Sequence, residues 1–88
     1  MKDFFLKTCR GHQFEFTRVI ASDLDPWYHI SASLNDGVVK FRMHSNKEGV
    51  WKITTERLPW LLYSLEAEFG ELIQLNEKPA HPGRFHKV

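Results

Sequence analysis

Cysteine is nearly absent from these 88 residues: Cys9 stands alone, so no disulfide can form within the chain and the disulfide-stapled class of small extracellular scaffold is excluded. Long apolar runs are missing as well. Phe4-Phe5-Leu6 is too short for the core of a signal peptide and is followed by Lys7 and Arg10. No segment approaches the roughly 20 apolar residues that cross a bilayer. The expectation is a soluble protein of the reducing cytoplasm with no membrane partner. An excess of one charge is also lacking, since 12 Lys and Arg stand against 11 Asp and Glu for a net +1. Any electrostatic binding must therefore come from local clustering. There is no glycine-rich phosphate loop, no metal-ligand spacing, no repeat and no low-complexity run.

Aromatic residues are what the chain has in abundance. At 14% of the sequence they let few positions bury much area, which matters in a chain close to the size where one core is only modestly stabilising. Self-association would help such a protein. The clearest pattern is Leu58, Leu61, Leu62, Leu65, Phe69, Leu72 and Ile73, recurring at helical spacing up to Asn76. One long amphipathic helix is predicted, with Pro59 suited to its first position and Thr55 available as a cap.

Before that stripe the apolar residues alternate with the period of strands. Phe14, Phe16 and Ile20 place a strand over Gln13 to Ala21, although Arg18 falls on its apolar side and requires an edge or a bulge. A second strand runs from Trp27 to Leu34. Asp36-Gly37 then signals a hairpin into a third strand, Val38 to His44. With these two residues at the centre of a type I′ turn, Leu34 opposes Val39, Ala32 opposes Phe41 and Ile30 opposes Met43. A register shifted by two residues keeps the same faces. A polar loop, Ser45 to Gly49, leads to a fourth strand, Val50 to Thr54, with Trp51 and Ile53 inward. The fold class expected is α+β: a four-stranded antiparallel β-meander followed by one long C-terminal helix packed on one face of the sheet. Residues 1–12 read as an N-terminal arm or a short helix capped by Asp3, residues 13–76 as the single domain, and residues 77–88 as a tail that is mobile unless Phe85 docks.

Three groups of residues are candidates for function. Parity gathers Trp27, His29, Ser31, Ser33, Lys40, Arg42, His44, Lys52 and Thr54 on the outward face of the meander. Cations that track phosphates beside a ring that stacks on bases suit single-stranded nucleic acid, with Lys40, Arg42 and Lys52 on phosphates and Trp27 stacking. A solvated strand face carries the same residue types. Phe41-Arg42-Met43-His44 through Gly49-Val50-Trp51-Lys52-Ile53 resembles a hairpin of the Pur family, and the meander-plus-helix layout looks like the Pur repeat and the single-stranded-DNA-binding coactivator fold over about half the chain. That resemblance is topological and implies no particular binding residue.

The second group is the histidines. His29 and His44 become direct cross-strand neighbours in the Asp36-Gly37 register, but a zinc site wants a third protein ligand, and His12, His81 and His86 have no partner spacing. No metal and no cofactor are expected. Cys9 near His12 lacks an orienting group and an oxyanion site, and Glu66, Glu68 and Glu71 read as solvent-side charges, so an enzyme is not expected.

The third group is the back of the helix. Trp60, Tyr63, Ala67 and Gly70, continued by Gln74, form a stripe opposite Leu65 that one sheet layer cannot cover. Glycine inside a helix costs about 1 kcal/mol relative to alanine, which points to a packing reason such as the approach of a second backbone. The function expected is a non-enzymatic binding or assembly module, a homodimer through this stripe, with single-stranded nucleic-acid binding as the alternative. The N-terminal arm or Phe85 would otherwise cover the stripe within one chain.

Overall fold

In the computed structural model, which describes residues 1–20 and 25–78, five strands form one antiparallel sheet with two helices on one of its faces. The strands are β1 (Phe4–Cys9), β2 (His12–Val19), β3 (Trp27–Leu34), β4 (Gly37–Ser45) and β5 (Trp51–Ile53), neighbours in space in the order of the chain. The helices are α1 (Trp60–Ser64) and α2 (Glu66–Glu77). The α+β class and the antiparallel meander stand as expected. The expected tail, with His81, Phe85 and His86, and most of the loop before Asp25 lie outside the described residues.

The first difference is β1. Residues 4–9 are a full edge strand, pairing Phe4 with Thr17 through Cys9 with His12, where an arm or helix was expected. The reversal is made by Arg10 and Gly11, both at positive φ. Phe5 supplies the packing, its ring stacked on Phe16 with centroids 4.7 Å apart. β2 is consequently an interior strand.

The second difference is a register shift in the β3–β4 hairpin. Leu34 pairs with Gly37, Ala32 with Val39, Ile30 with Phe41 and Tyr28 with Met43, two residues from the type I′ alignment. Asn35 and Asp36 are the central residues, and neither has positive φ, which excludes type I′. Gly37 takes the left-handed conformation instead, at φ 131°. Because side chains alternate with period two, the shift moves no residue to the other face.

The helix also departs from expectation. Leu65, at φ −99° and ψ 4°, interrupts it, with the amide of Leu65 bonding the carbonyl of Leu62 in a tightened turn. Pro59 stands at the N-cap, one residue before the first helical position expected for it, and Thr55 does not cap: its hydroxyl accepts a hydrogen bond from the Arg42 amide. Leu62, Leu65, Phe69 and Ile73 are fully buried against Phe14, Phe16, Tyr28, Ile30, Ala32, Phe41, Met43 and Trp51, all from the inner face of the sheet. Phe69 is central, in contact with the rings of Phe14, Phe16 and Phe41. α2 runs from the β5 edge toward β1 and β2. Its first turn is beside Ile53, whose amide donates to Glu66, and its last is beside Lys2, Arg18 and Tyr28.

Candidate functional site

Among the described residues no helix covers the outer face of the sheet, and the strand pairing orders its residues into rows. One row runs Phe4, Thr17, His29, Arg42 and the next Leu6, Glu15, Ser31, Lys40. A third starts at Val19 and Trp27, and His44 and Lys52 are paired at its other end. The Trp27 ring stacks on His44 with centroids 5.3 Å apart and planes 13° from parallel. His44 is further held by a 3.1 Å contact of Nδ1 with the Thr54 hydroxyl. His29 pairs with Arg42, so the expected His29–His44 neighbour pair does not form, a direct result of the shifted register. Among the described residues no three His, Cys, Asp or Glu side chains are grouped to hold a metal.

Of the three cations proposed for phosphates, Arg42 and Lys40 lie in adjacent rows and have no ion-pair partner among the described residues. Lys52 differs. Its Nζ is 3.6 Å from Glu66 Oε1, drawn around the short β5 edge toward the helix. Glu66 and Glu68 are thus not simple solvent charges: Glu68 accepts from Arg10 at 3.3 Å. Both stand in the first turn of α2, where a negative charge complements the helix dipole.

The helix stripe is not held together as one surface. Trp60 is 80% exposed and Ala67 and Gln74 are exposed. Gly70, however, faces Trp51: a Cβ built on it would stand 3.4 Å from the Trp51 Cβ. Gly70 therefore faces β5 of its own chain, and the stripe proposed for self-association is left without it. Tyr63 is exposed along its ring, but its hydroxyl donates to the Thr55 carbonyl at 2.8 Å and so closes the connection from β5 to α1.

A cluster that periodicity did not identify sits where α2 ends. Arg18, on the inner face and neither at an edge nor in a bulge, donates from Nε and Nη2 to the two oxygens of Glu77 at 2.6 and 3.2 Å. The Tyr28 hydroxyl donates to Glu77 Oε2 and accepts from Asn76 Nδ2. Asn76 in turn bonds both the amide and the carbonyl of Lys2, at 2.9 and 2.8 Å. Burial, reinforced by the Glu77 charge and hydrogen bond, pushes the Tyr28 phenol up to about 12. Burial alone would raise the Glu77 carboxyl; the hydrogen bonds from Arg18 and Tyr28 outweigh it and hold it below its ordinary value. The Arg18 guanidinium is raised, first by its hydrogen bond to Glu77. The only sequence signal was Arg18 at an apolar parity position.

An open cleft of about 640 Å³ borders this cluster, lined in part by Asp25, Ser45, Trp51, Gln74 and Glu77. Glu77 is engaged by Arg18 and Tyr28 at the border of this cleft. Cys9 and His12 pair across β1 and β2, and burial followed by the Glu68 charge raises the Cys9 thiol, the direction opposite to nucleophile activation.

Comparison of the chain with protein-family models found no match. Comparisons with curated proteins and with solved structures likewise found none. No helix among the described residues is long and apolar enough to cross a membrane.

Proposed function

We propose that this chain is a small non-enzymatic binding or assembly module that associates with a second copy of itself. The observation that carries this reading is Trp60, which stands 80% exposed on α1 with the ring of Tyr63 one turn away. A tryptophan so exposed beside a second aromatic is the composition of an interface anchor. The helical surface proposed for self-association is Trp60, Tyr63, Ala67 and Gln74, without Gly70. A cytoplasmic location belongs to the same proposal, supported by the single unpaired thiol of Cys9. Sedimentation velocity at tens of micromolar tests it. A wild-type dimer converted by Trp60→Glu to a folded monomer supports the helical surface, and a wild-type monomer removes the assembly reading.

A second reading rests on the outer sheet face. Arg42 and Lys40 in adjacent rows, with the Trp27–His44 stack beside them and Glu15 the one acid in these rows, suit a single strand of nucleic acid. Fluorescence anisotropy with a short single-stranded oligonucleotide should then show binding at low salt that weakens steeply as salt rises. Replacing Lys40 and Arg42 by Gln should abolish it. Lys52→Gln should matter less because Glu66 already holds that ammonium. Trp27→Ala should cost about 1–3 kcal/mol of binding if its ring stacks on bases. No binding at low ionic strength removes this reading.

A further inference from the structure

The edge of β1 is open in a selective way. The Arg18 amide bonds the Asp3 carbonyl, and in an antiparallel ladder residues alternate between bonding the neighbouring strand and facing away from it. Asp3, Phe5, Lys7 and Cys9 therefore bond toward β2, while the backbone groups of Lys2, Phe4, Leu6 and Thr8 point to the edge. The chain closes one of these positions itself, since the Asn76 side chain takes both backbone groups of Lys2. Phe4, Leu6 and Thr8 are left open among the described residues, and Phe4 and Leu6 are 51% and 48% exposed. Among the described residues the strand Phe4–Cys9 has no proline and one charged side chain, Lys7, with Lys2 and Asp3 just before it, so it lacks most of the devices that discourage strand pairing.

We infer that this edge pairs with the same edge of a second copy, antiparallel about a two-fold axis at Phe5, joining the two sheets into one. Charge and apolar matching select the register. With the axis at Phe5, Phe4 of one copy exchanges backbone hydrogen bonds with Leu6 of the other, and Phe5 lies opposite Phe5. The inner-face row Phe41, Ile30, Phe16, Phe5 then meets its own continuation across the axis. Asp3 comes opposite Lys7 of the second copy, twice, on the helix side of the sheet. An axis at Lys7 would oppose like charges, and one at Leu6 would set Lys7 against Phe5 and leave Asp3 facing Cys9. Beside this edge a groove of about 500 Å³ runs between β1 and α2, lined by Phe5, Lys7, Leu72 and the 62% exposed Leu75, and the second copy would cover it. An isologous contact of this kind closes on itself.

This inference rests on self-association but places the contact at β1 in place of the helical stripe, so Trp60→Glu should leave this dimer intact, and its test separates the two. The Leu6 amide has no partner in the β1–β2 ladder, so Leu6→Pro removes an edge donor without removing a bond of the monomer. Sedimentation of the wild type should show a dimer, and Leu6→Pro, checked for its fold by circular dichroism, a monomer. Asp3→Lys and Lys7→Asp should each weaken the dimer, and the double swap should restore it. A dimer lost in Trp60→Glu but indifferent to Leu6→Pro and to the charge variants keeps the assembly reading and overturns pairing through β1. A wild-type monomer overturns both. Should Leu6→Pro fail to fold, the charge variants decide: a double swap no tighter than the single variants overturns the register and the inference.

Discussion

Arg18 and Glu77, 59 residues apart in the chain, form a two-pronged ion pair between β2 and the last turn of α2, with the arginine side chain only 11% exposed. The same carboxylate receives the Tyr28 hydroxyl, so the helix end, an interior strand and, through Asn76, the start of the chain are tied at one point.

This junction should make stability fall in acid. The Glu77 carboxyl is held below its ordinary value of 4.5 in the folded protein, so folded Glu77 binds protons less readily than unfolded Glu77. Its contribution is then present above about pH 4.5 and is lost as pH falls through the lower folded value. Melting temperatures between pH 3 and pH 7 should fall in acid more for the wild type than for Glu77→Gln. Arg18→Met should cost about 1–3 kcal/mol near neutral pH, because it leaves a part-buried carboxylate with one partner fewer.

Tyr28 should govern the alkaline side. Its phenol is raised from 10.0 to about 12, so the folded state resists losing that proton. The stabilisation is complete below about pH 10 and disappears as pH rises through about 12. Tyr28→Phe should remove this contribution from a denaturant-unfolding series over that range. It should also lower stability at neutral pH by about 1–2 kcal/mol through the lost hydroxyl bonds.

Gly70 should tolerate a methyl group but nothing larger. A Cβ there meets Trp51 at ordinary contact distance, and alanine gains about 1 kcal/mol of helix propensity over glycine. Gly70→Ala should therefore melt no lower than the wild type with its oligomeric state unchanged, whereas Gly70→Val should lower the melting temperature by pressing on Trp51.

The hairpin turn depends on Gly37 in another way. No atom would crowd a Cβ at this position, but its φ of 131° is one that L side chains rarely adopt. Gly37→Val should cost more than about 1 kcal/mol, because β-branched residues tolerate positive φ worst. Chemical denaturation of that variant checks it, and an unchanged midpoint would mean that the turn can rearrange without cost.

Local periodicity by itself determined which residues face the core. Phe14, Phe16, Ile30, Phe41, Met43 and Trp51 are buried on one sheet face, and Leu62, Leu65, Phe69 and Ile73 on the helices, because alternation and a stripe every three or four residues are written in neighbouring positions. The same property let the β3–β4 register slide by two residues without disturbing the core. Ile20, placed inward by parity, is 63% exposed because β2 ends at Val19.

Tertiary structure alone decided the rest. Residues 4–9 have a weak pattern, with Lys7 on the helix side, and become a strand because β2 offers a ladder and Phe16 a ring to stack on. The partner of Arg18 lies 59 residues away and that of Gly70 on another element, Trp51, so no window of sequence contains either contact. Periodicity describes a segment's own faces, while edge pairing, ion-pair choice and close approach are settled only when distant segments meet.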